Sequence, residues 1–533
     1  MDTKQLERFA QAARRQLHEQ VAAKLNRVLT TDSAELRAKA TAIKELKQQI
    51  AHTSREAVVE KVAYTWFNRF CALRYMDVNH YTRVGTVSPI PGHTQPEILQ
   101  EAKQGHIDED LAGSRGTQTV DTRTVFGLLN GTLPSGDPQQ EAYRRLLVGV
   151  CNAYHAVMPF MFETIDDYTE LLMPDDLLSA GSILQDVREA LTEANCQDVE
   201  VIGWLYQFYI SEKKDAVMAR KGAVPSADIP AVTQLFTPHW IVRYMVENSL
   251  GRLWMLNHPE SRLVERMEYY IPVDGRRDQV DGRRQTVDGE GKGEQGTGEI
   301  TEYLRVERPE EIKFCDPACG SGHILTYAFD LLYAIYEEQG YNPVDIPRLI
   351  LEKNLTGIEI DPRAGALAGF ALMMRAREKD ARFFRRAVRP DICIMEDVTF
   401  TPDELDAYMD AVGRDLFTQD VQDWLAQFEQ ATTFGSLIRP LVTDTAFIQA
   451  RLDEVGFFQN LFLSHTHDKL RAVLRMTEAL RPRYHVVVAN PPYLGSGMNT
   501  QLKTFLQAEY ASFKYDLFAA FTVRIMDMTR SGG

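Results

Sequence analysis

Residues 312–339 read IKFCDPACGSGHILTYAFDLLYAIYEEQ, a short apolar run followed by a turn with two glycines and then by a long apolar stretch. We predict a strand over Ile312–Cys315 and a helix over His323–Gln339, joined by the turn Asp316–Gly322. A strand, a tight turn and a helix in this order are typical of the first unit of a parallel sheet whose crossovers are helices.

The alternation of strands and helices continues along the chain. A second strand is predicted over Leu355–Ile360, a helix over Arg363–Arg377, a third strand over Ile392–Met395 and a fourth over Tyr484–Ala489. Residues 400–480, approximately, have a helical pattern and exceed an ordinary connection, which indicates a helical insertion. The predicted fold class is therefore α/β, with a doubly wound parallel sheet that binds ligands at the carboxyl ends of its strands.

The preceding part of the chain has a different character. Residues 1–225 show almost continuous helical patterning, and the prolines of PSADIPAVTQLFTPHW (225–240) indicate a boundary between a helical domain, 1–225, and a second domain, 226–533. Segment 273–299 repeats VDG every seven residues among many glycines, and it is interpreted as a mobile surface insertion. In the helical domain, four neighbouring aromatic residues are interpreted as helix core: Trp204, Tyr206, Phe208 and Tyr209.

Composition excludes several classes of protein. The chain has 533 residues, of which 44% are hydrophobic and 25% charged, a globular composition with material for at least two domains. It shows neither a secretory signal nor an apolar run long enough to span a membrane. Its six cysteines form no CxxC pair, so we expect a reduced, cytoplasmic protein without structural zinc. The net charge of −16 argues mildly against nucleic-acid binding, although a local basic face would suffice.

Acidic residues follow the first three predicted strands. Asp316 leads the glycine turn, which suits a ligand with a cationic ammonium better than a pyrophosphate; the alternative is an ordinary turn between strand and helix. Glu359 ends the second strand, where an acidic side chain commonly accepts both hydroxyls of a ribose. Glu396-Asp397 stands at the end of the third strand, where a carboxylate can accept from an exocyclic amine. Each of these two sites could also be merely a solvated strand end.

The fourth predicted strand is followed by Asn490-Pro491-Pro492-Tyr493. The two prolines stiffen the loop and remove backbone donors, so the oxygens of Asn490 and Pro491 are presented as fixed acceptors beside an aromatic ring. Two acceptors and a ring suit a planar group that bears an amino nitrogen. The order of DPACGSG, GIEID (357–361) and NPPY makes a chance match remote.

This set of motifs resembles the amino-methyltransferases that use S-adenosylmethionine, specifically adenine-N6 DNA methyltransferases of the gamma arrangement. Phe236-Thr237-Pro238 and Asp516-Leu517-Phe518 are similar to further motifs of that family. The phrases AYTWFNRFCALRYMDVN (63–79) and VIGWLYQFYISEKKDAV (201–217) are similar to the PglX-type methyltransferases of bacterial BREX phage-defence systems.

The resemblance implies a Rossmann-like core with a large all-α N-terminal domain, S-adenosylmethionine as cofactor, and double-stranded DNA and other BREX proteins as partners, with no metal and no membrane. The implied cofactor-binding residues are Phe236, Thr237, Pro238, Asp316, Pro317, Ala318, Gly320, Ser321, Gly322, Glu359, Ile360, Asp397 and Val398. The implied catalytic residues are Asn490, Pro491, Pro492 and Tyr493, which would receive an adenine flipped out of the duplex. Cys319 has no visible base partner and is interpreted as a small turn residue rather than a nucleophile.

Two alternatives stay open at this point. NPPY also occurs in methyltransferases that act on glutamine side chains or on ribosomal RNA bases, although the size of this chain and its helical domain argue against those compact enzymes. A second alternative is a subunit that binds cofactor, surveys DNA or docks partners without independent catalysis. Family members also continue into a large C-terminal target-recognition region, which we expect to be absent here because the chain stops at Gly533.

Overall fold

The computed structural model describes residues 1–113, 119–163, 168–220, 222–272, 303–414, 418–442, 444–455, 461–481, 483–495 and 497–531. The insertion predicted to be mobile, 273–299, lies outside the described residues. The described chain is mostly helical and contains a small parallel sheet. It divides into two compact units: unit 1 comprises Met1–Phe236, Gly320–Gly322 and Asp361–Pro390, and unit 2 comprises Thr237–Cys319, His323–Ile360 and Asp391–Gly533.

Unit 1 is built from helices in its described part. They are α1 Thr3–Thr30, α2 Ala34–Ala38, α3 Ala40–His52, α4 Arg55–Val78, α5 Glu97–Lys103, α6 Thr122–Leu129, α7 Pro138–His155, α8 Tyr168–Leu171, α9 Ile183–Ala190, α10 Glu200–Met218, α11 Ile229–Thr233 and, farther along, α16 Pro362–Lys379. Helix α1 buries residues at helical spacing, among them Leu6, Ala10 and Leu17, and packs on α4 and α10. Helix α4 is buried around most of its circumference, and Trp66 at its centre donates to the carbonyl of Thr169 at 3.0 Å.

Unit 2 contains the sheet. Its helices are α12 His239–Val246, α13 Arg252–Asn257, α14 His323–Glu338, α15 Ile346–Leu349, α17 Pro402–Val412, α18 Gln419–Ala426, α19 Ala431–Phe434, α20 Ala446–Val455, α21 Leu461–Leu480, α22 Thr500–Glu509 and α23 Leu517–Met528. Its strands are β1 Phe314–Asp316, β2 Leu355–Glu359, β3 Asp391–Ile394 and β4 Val486–Val487. They lie in the order β3-β2-β1-β4, and every pairing is parallel. The carboxyl ends of all four strands therefore meet at one edge.

Both faces of the sheet are covered, as expected for parallel strands. On one face Gly357 of β2 approaches Leu325 of α14 so closely that an added Cβ would lie 2.8 Å from the leucine Cδ1. On the other face Ile358 belongs to an apolar cluster with Trp424 and Leu470 of the helical insertion. Residues of the segment between β3 and β4 thus cover one face of the sheet.

The structure confirms a parallel sheet. Helices α17–α21 lie between its third and fourth strands, in the region predicted to be a helical insertion. The fourth strand is shorter than predicted: only Val486–Val487 pair in the sheet, against a prediction of Tyr484–Ala489. Its neighbour β1 is itself three residues long, and the backbone of Tyr484 bonds instead to Met528 and Arg530. The all-α N-terminal domain and the division at residue 225 stay predictions.

The aromatic residues of α10 divide into two sets. Tyr206 and Tyr209 are buried, as predicted for helix core. Trp204 and Phe208 are only half-buried and stack on each other with ring centroids 5.4 Å apart, so the prediction of core was wrong for these two. Within the described residues, no helix combines the length and the apolar character needed to cross a membrane.

Candidate functional site

The glycine turn begins at the end of β1. Asp316 is 1% exposed, and its Oδ1 accepts a hydrogen bond from the backbone N–H of Ala318 at 3.1 Å. This bond holds the first residues of the turn together. Gly320 and Gly322 have φ values of 54° and 85°, a region that side chains disfavour. At Gly322 a Cβ would also lie 2.9 Å from Cα of Ala368. Both φ values therefore favour glycine, and at Gly322 the close approach of Ala368 also leaves no room for a side chain.

Two carboxylates end neighbouring strands. Asp316 pairs in register with Gly357, so Glu359 lies two residues farther along β2, at the same edge. Glu359 is 5% exposed and accepts a bond from the N–H of Ile360 at 3.0 Å. Burial and the nearby charge of Glu359 raise the pKa of Asp316 to about 8, against the opposing effect of the bond from Ala318. The edge thus holds a buried carboxyl group that a cation would stabilise in its ionised form.

Cys319 lies in the same turn and is buried. Burial, followed by the charges of Glu359 and Asp316, raises the pKa of its thiol well above the ordinary value. A thiol held in its protonated form is a poor nucleophile. The geometry therefore agrees with a packing role for this cysteine.

The end of β3 is bonded to the helical insertion. Asp397 is exposed, and its Oδ1 accepts from both the backbone N–H and the hydroxyl of Thr432, each at 2.8 Å. Val398 is 5% exposed, and its N–H donates to the carbonyl of Phe428 at 3.0 Å. The residues after β3 are therefore positioned by the insertion.

The segment Thr432–Ser436 contacts further predicted site residues. Gly435 has a φ of 53°, and a Cβ there would lie 2.9 Å from Cγ2 of Ile360. The hydroxyl of Ser436 donates to the carbonyl of Pro317. Sequence reasoning missed this segment because these contacts depend on how the insertion folds back; a Gly-Ser pair after a short helix is the only local signal.

The Asn490 loop follows β4 and is tied to Thr237. The side-chain amide nitrogen of Asn490 donates to the hydroxyl of Thr237 at 3.1 Å, and Thr237 is itself 7% exposed. Because the amide nitrogen is bonded to Thr237, the amide oxygen of Asn490 points away from Thr237. This oxygen accepts a hydrogen bond from the hydroxyl of Tyr493 at 3.3 Å. Pro491 is buried and Pro492 is half-buried. The motif presents the oriented amide oxygen of Asn490 as an acceptor beside the exposed ring of Tyr493.

A second ring lies beside Tyr493. Phe518, in the first turn of α23, has its ring centroid 5.7 Å from that of Tyr493, with only 10° between the ring planes. Phe518 is 46% exposed and Tyr493 is 56% exposed. The N–H of Leu517 donates to the carbonyl of Leu494 at 3.3 Å, which fixes α23 to the end of the loop. These two contacts form an exposed aromatic face next to Asn490.

The predicted residues fall into two groups. In unit 2 the structure brings Asp316, Glu359 and Asp397 to the carboxyl edge, and it bonds Asn490 to Thr237. Pro238 is exposed and precedes α12. Phe236 and the Gly320–Gly322 turn belong to unit 1, where the ring of Phe236 packs on Trp204 with centroids 4.3 Å apart. Among the described residues, no group of three or more His, Cys, Asp and Glu side chains is arranged to hold a metal ion.

Comparison with known proteins identifies the relatives of this chain. Residues 353–533 match the model of the Eco57I restriction-modification methylase family. Over 505 residues, 90% of this chain and 39% of the relative, the sequence is 40% identical to the adenine-specific methyltransferase BrxX of Escherichia coli O9:H4 (strain HS). The resemblance to PglX-type adenine-specific methyltransferases is confirmed.

A second PglX-type relative, the adenine-specific methyltransferase PglX of Lacticaseibacillus casei (strain Zhang), is 36% identical over 495 residues, 89% of this chain and 39% of the relative. The chain thus spans 39% of the length of either relative. The cryo-EM structure of a DrdV–DNA complex aligns with 94% of this chain and 35% of that chain, at 13% identity and a TM-score of 0.31. Both relatives are named adenine-specific methyltransferases, the enzyme class that the sequence motifs predict for this chain.

Proposed function

We propose that this chain carries the cofactor-binding and catalytic residues of a DNA methyltransferase that transfers a methyl group to N6 of adenine. The observation that supports it most is the Asn490 loop, in which Thr237 orients the amide so that its oxygen is an acceptor beside the exposed ring of Tyr493. The similarity to enzymes named adenine-specific methyltransferases supports adenine as the target base.

The residues at the carboxyl edge fit S-adenosylmethionine. The methionine ammonium would be held by Asp316, whose pKa is raised by burial and by the charge of Glu359, so that a cation would favour its ionised form. The turn at Gly320 and Gly322 carries no side chain that would obstruct a ligand. Glu359 would accept the ribose hydroxyls, and the cofactor would supply an activated methyl group on a sulfonium.

The adenine end of the cofactor would lie between Ile360 and Val398. Asp397 would accept from its amino group, and this carboxylate is already fixed by two bonds from Thr432. A carboxylate held in place before the ligand arrives loses little freedom on binding, which favours affinity. Pro317 and Ala318 would contribute backbone groups to the same site.

Asn490 and Pro491 would act on the target amine. The N6 lone pair of adenine is delocalised into the ring, so it is a weak nucleophile. Acceptors on its N–H bonds favour the tetrahedral nitrogen that forms during attack, because those protons become more acidic. The long bond from Tyr493 to the Asn490 oxygen is readily exchanged for one from the substrate. Neither a metal nor a covalent intermediate is required by this assignment.

Tyr493 would stack on the flipped base. Base–aromatic stacking contributes roughly 1–3 kcal/mol, comparable to the few kcal/mol needed to flip a base. Phe518 extends the aromatic face and would support a base that lies against Tyr493. Pro492 keeps the loop rigid between the acceptors and the ring.

The wider role rests on the PglX-type relatives. We propose site-specific modification of host DNA in a bacterial BREX anti-phage system, in the cytoplasm, with other BREX proteins as partners. Double-stranded DNA would be the substrate.

The experiment is a methylation assay with radiolabelled S-adenosylmethionine and adenine-containing duplex DNA, with and without the other system components. The proposal expects label in N6-methyladenine in at least one of these reactions, and matched duplexes lacking adenine should stay unlabelled. Cofactor binding without transfer under every condition would favour a surveying or docking subunit. Failure to bind S-adenosylhomocysteine would overturn the assignment of the site.

A further inference from the structure

Helix α10 contains the whole phrase VIGWLYQFYISEKKDAV, and one of its faces contacts residues near the proposed cofactor site. Gly203, Tyr206 and Gln207 lie on that face because residues three and four apart are neighbours on a helix. Each of them contacts a proposed cofactor-binding residue or its neighbour within unit 1. The family match begins only at residue 353 and does not include this helix.

Gly203 gives the closest contact. A Cβ at this position would lie 2.6 Å from Cε2 of Phe236 and 2.6 Å from Oγ of Ser321. Real Cβ atoms essentially never approach other atoms so closely, so a side chain here would displace the ring, the hydroxyl or both. Glycine costs up to about 1 kcal/mol in a helix interior relative to alanine, and the close approach of these two residues explains its presence.

Two neighbours of Gly203 fix Phe236 from other sides. The side-chain oxygen of Gln207 accepts a bond from the N–H of Phe236 at 2.8 Å. The indole of Trp204 packs on its ring with centroids 4.3 Å apart. Farther along α10, Lys214 donates to the carbonyl of Gln234, at 3.1 Å. The backbone and the ring of Phe236 are therefore both set by α10.

The third contact is with Asp361, two residues after Glu359. The hydroxyl of buried Tyr206 donates to Oδ2 of Asp361, which is 2% exposed. Arg363 holds the same carboxylate with two bonds, of 3.0 and 3.2 Å, and its guanidinium lies 5.2 Å from the ring centroid of Tyr64. The carboxylate thus accepts bonds from the side chains of Tyr206 and Arg363, which give it one defined orientation.

The opposite side of α10 is anchored in the helical core. Tyr209 packs on Tyr64 and Phe67 of α4, with ring centroids 5.3 and 4.7 Å apart. Because α10 is held by α4 and α1, its contacts with Phe236 and Asp361 cannot relax by a shift of the helix alone.

We propose that α10 orients the residues of unit 1 that serve cofactor binding. Gly203 and Gln207 are positioning residues for Phe236 and Ser321, and Tyr206 is one for Asp361. This inference rests on the proposed function, since it assumes that Phe236, Ser321 and Ile360, the residue before Asp361, bind S-adenosylmethionine. On this inference the N-terminal helices are required for cofactor binding, and they do not serve only to bind partner proteins.

The first test substitutes Gly203→Ala in the whole chain and measures affinity for S-adenosylhomocysteine by calorimetry. Alanine favours the helix, so weaker binding cannot arise from a weaker α10. We expect affinity to fall about tenfold or more, whereas Asp215→Ala on the exposed side of the same helix should leave it unchanged. Affinity unchanged in Gly203→Ala would overturn the inference.

The second test separates positioning from general stability. Gln207→Leu removes the acceptor for the Phe236 N–H, and Gln207→Glu retains one. We expect about tenfold weaker binding for the leucine variant and less than about threefold for the glutamate variant. Equal losses in both variants would overturn the role of the acceptor. If the unsubstituted chain does not bind S-adenosylhomocysteine, the proposed function fails and the inference fails with it; normal binding in every variant overturns the inference alone.

Discussion

Asp316 is buried beside Glu359, so its negative charge is costly until a cation arrives. With a pKa of about 8, this carboxyl group is mostly protonated at neutral pH in the free protein. We predict that affinity for S-adenosylhomocysteine, whose ammonium would pair with the ionised form, rises as the pH is raised from 6 and levels off above about 8. The increase should approach tenfold per pH unit in the steep range. Calorimetry across this pH range measures it.

The matched control is Asp316→Asn, which keeps the shape of the side chain and cannot ionise. Its affinity should be weak and nearly independent of pH. The raised pKa also has a consequence for folding: ionisation of Asp316 opposes the folded state, so the ligand-free protein should lose stability as the pH rises from about 4 to about 8. An unchanged pH profile in Asp316→Asn would assign the titration to another group.

Thr237 fixes the orientation of the Asn490 amide. Thr237→Val removes the hydroxyl that accepts from the amide nitrogen, so the amide can rotate and present a donor to the substrate amine. We predict that turnover falls about tenfold or more while affinity for S-adenosylhomocysteine changes far less. Thr237→Ser keeps the hydroxyl and should retain turnover. A loss confined to cofactor affinity would instead assign Thr237 to the cofactor alone.

At the scale of elements, the segment Thr432–Ser436 links the helical insertion to the carboxyl edge of the sheet. Gly435→Ala introduces a Cβ at a φ of 53° and 2.9 Å from Cγ2 of Ile360, so it should displace the wall of the proposed adenine pocket. We predict about tenfold weaker binding of S-adenosylhomocysteine.

Gly413 offers a matched control within the same insertion. It follows α17, and its φ of 114° also disfavours a side chain. Gly413→Ala should therefore lower the melting temperature without changing affinity for S-adenosylhomocysteine. Equal affinity in both variants would show that the insertion does not shape the site.

The sequence predicts elements best where their signal is local. The predicted ends of the strands β1, β2 and β3 and of the helix α14 agree with the structure to within two residues. A local apolar run specifies each of them, and the glycine turn marks the boundary between β1 and α14. The contacts of Ser436 and Gly203 could not be predicted, since both depend on chain segments that meet only after folding. In the sequence alone, Gly203 indicates only a less stable helix. The reason for a glycine there is the packing of Phe236, which the sequence does not show.

At the scale of the whole molecule, the net negative charge limits the affinity of the chain for DNA. A net charge of −16 repels the phosphate backbone, so affinity for DNA must come from local contacts. We predict that the chain binds S-adenosylhomocysteine yet binds duplex DNA weakly and without sequence preference. Fluorescence anisotropy with labelled duplexes of several sequences, at two salt concentrations, measures this. Tight, site-specific binding would locate sequence readout within residues 1–533.

Asn490 tests the central claim most directly. In cells that express the protein from its own gene, Asn490→Ala removes an acceptor that strengthens in the transition state, which typically costs ~10²–10³ in rate. Tyr493→Phe keeps the ring and serves as the control. Long-read sequencing of genomic DNA should find N6-methyladenine with the unsubstituted protein and with Tyr493→Phe, and none with Asn490→Ala at equal protein level. Normal methylation in the Asn490→Ala strain would contradict both the site and the enzymatic function.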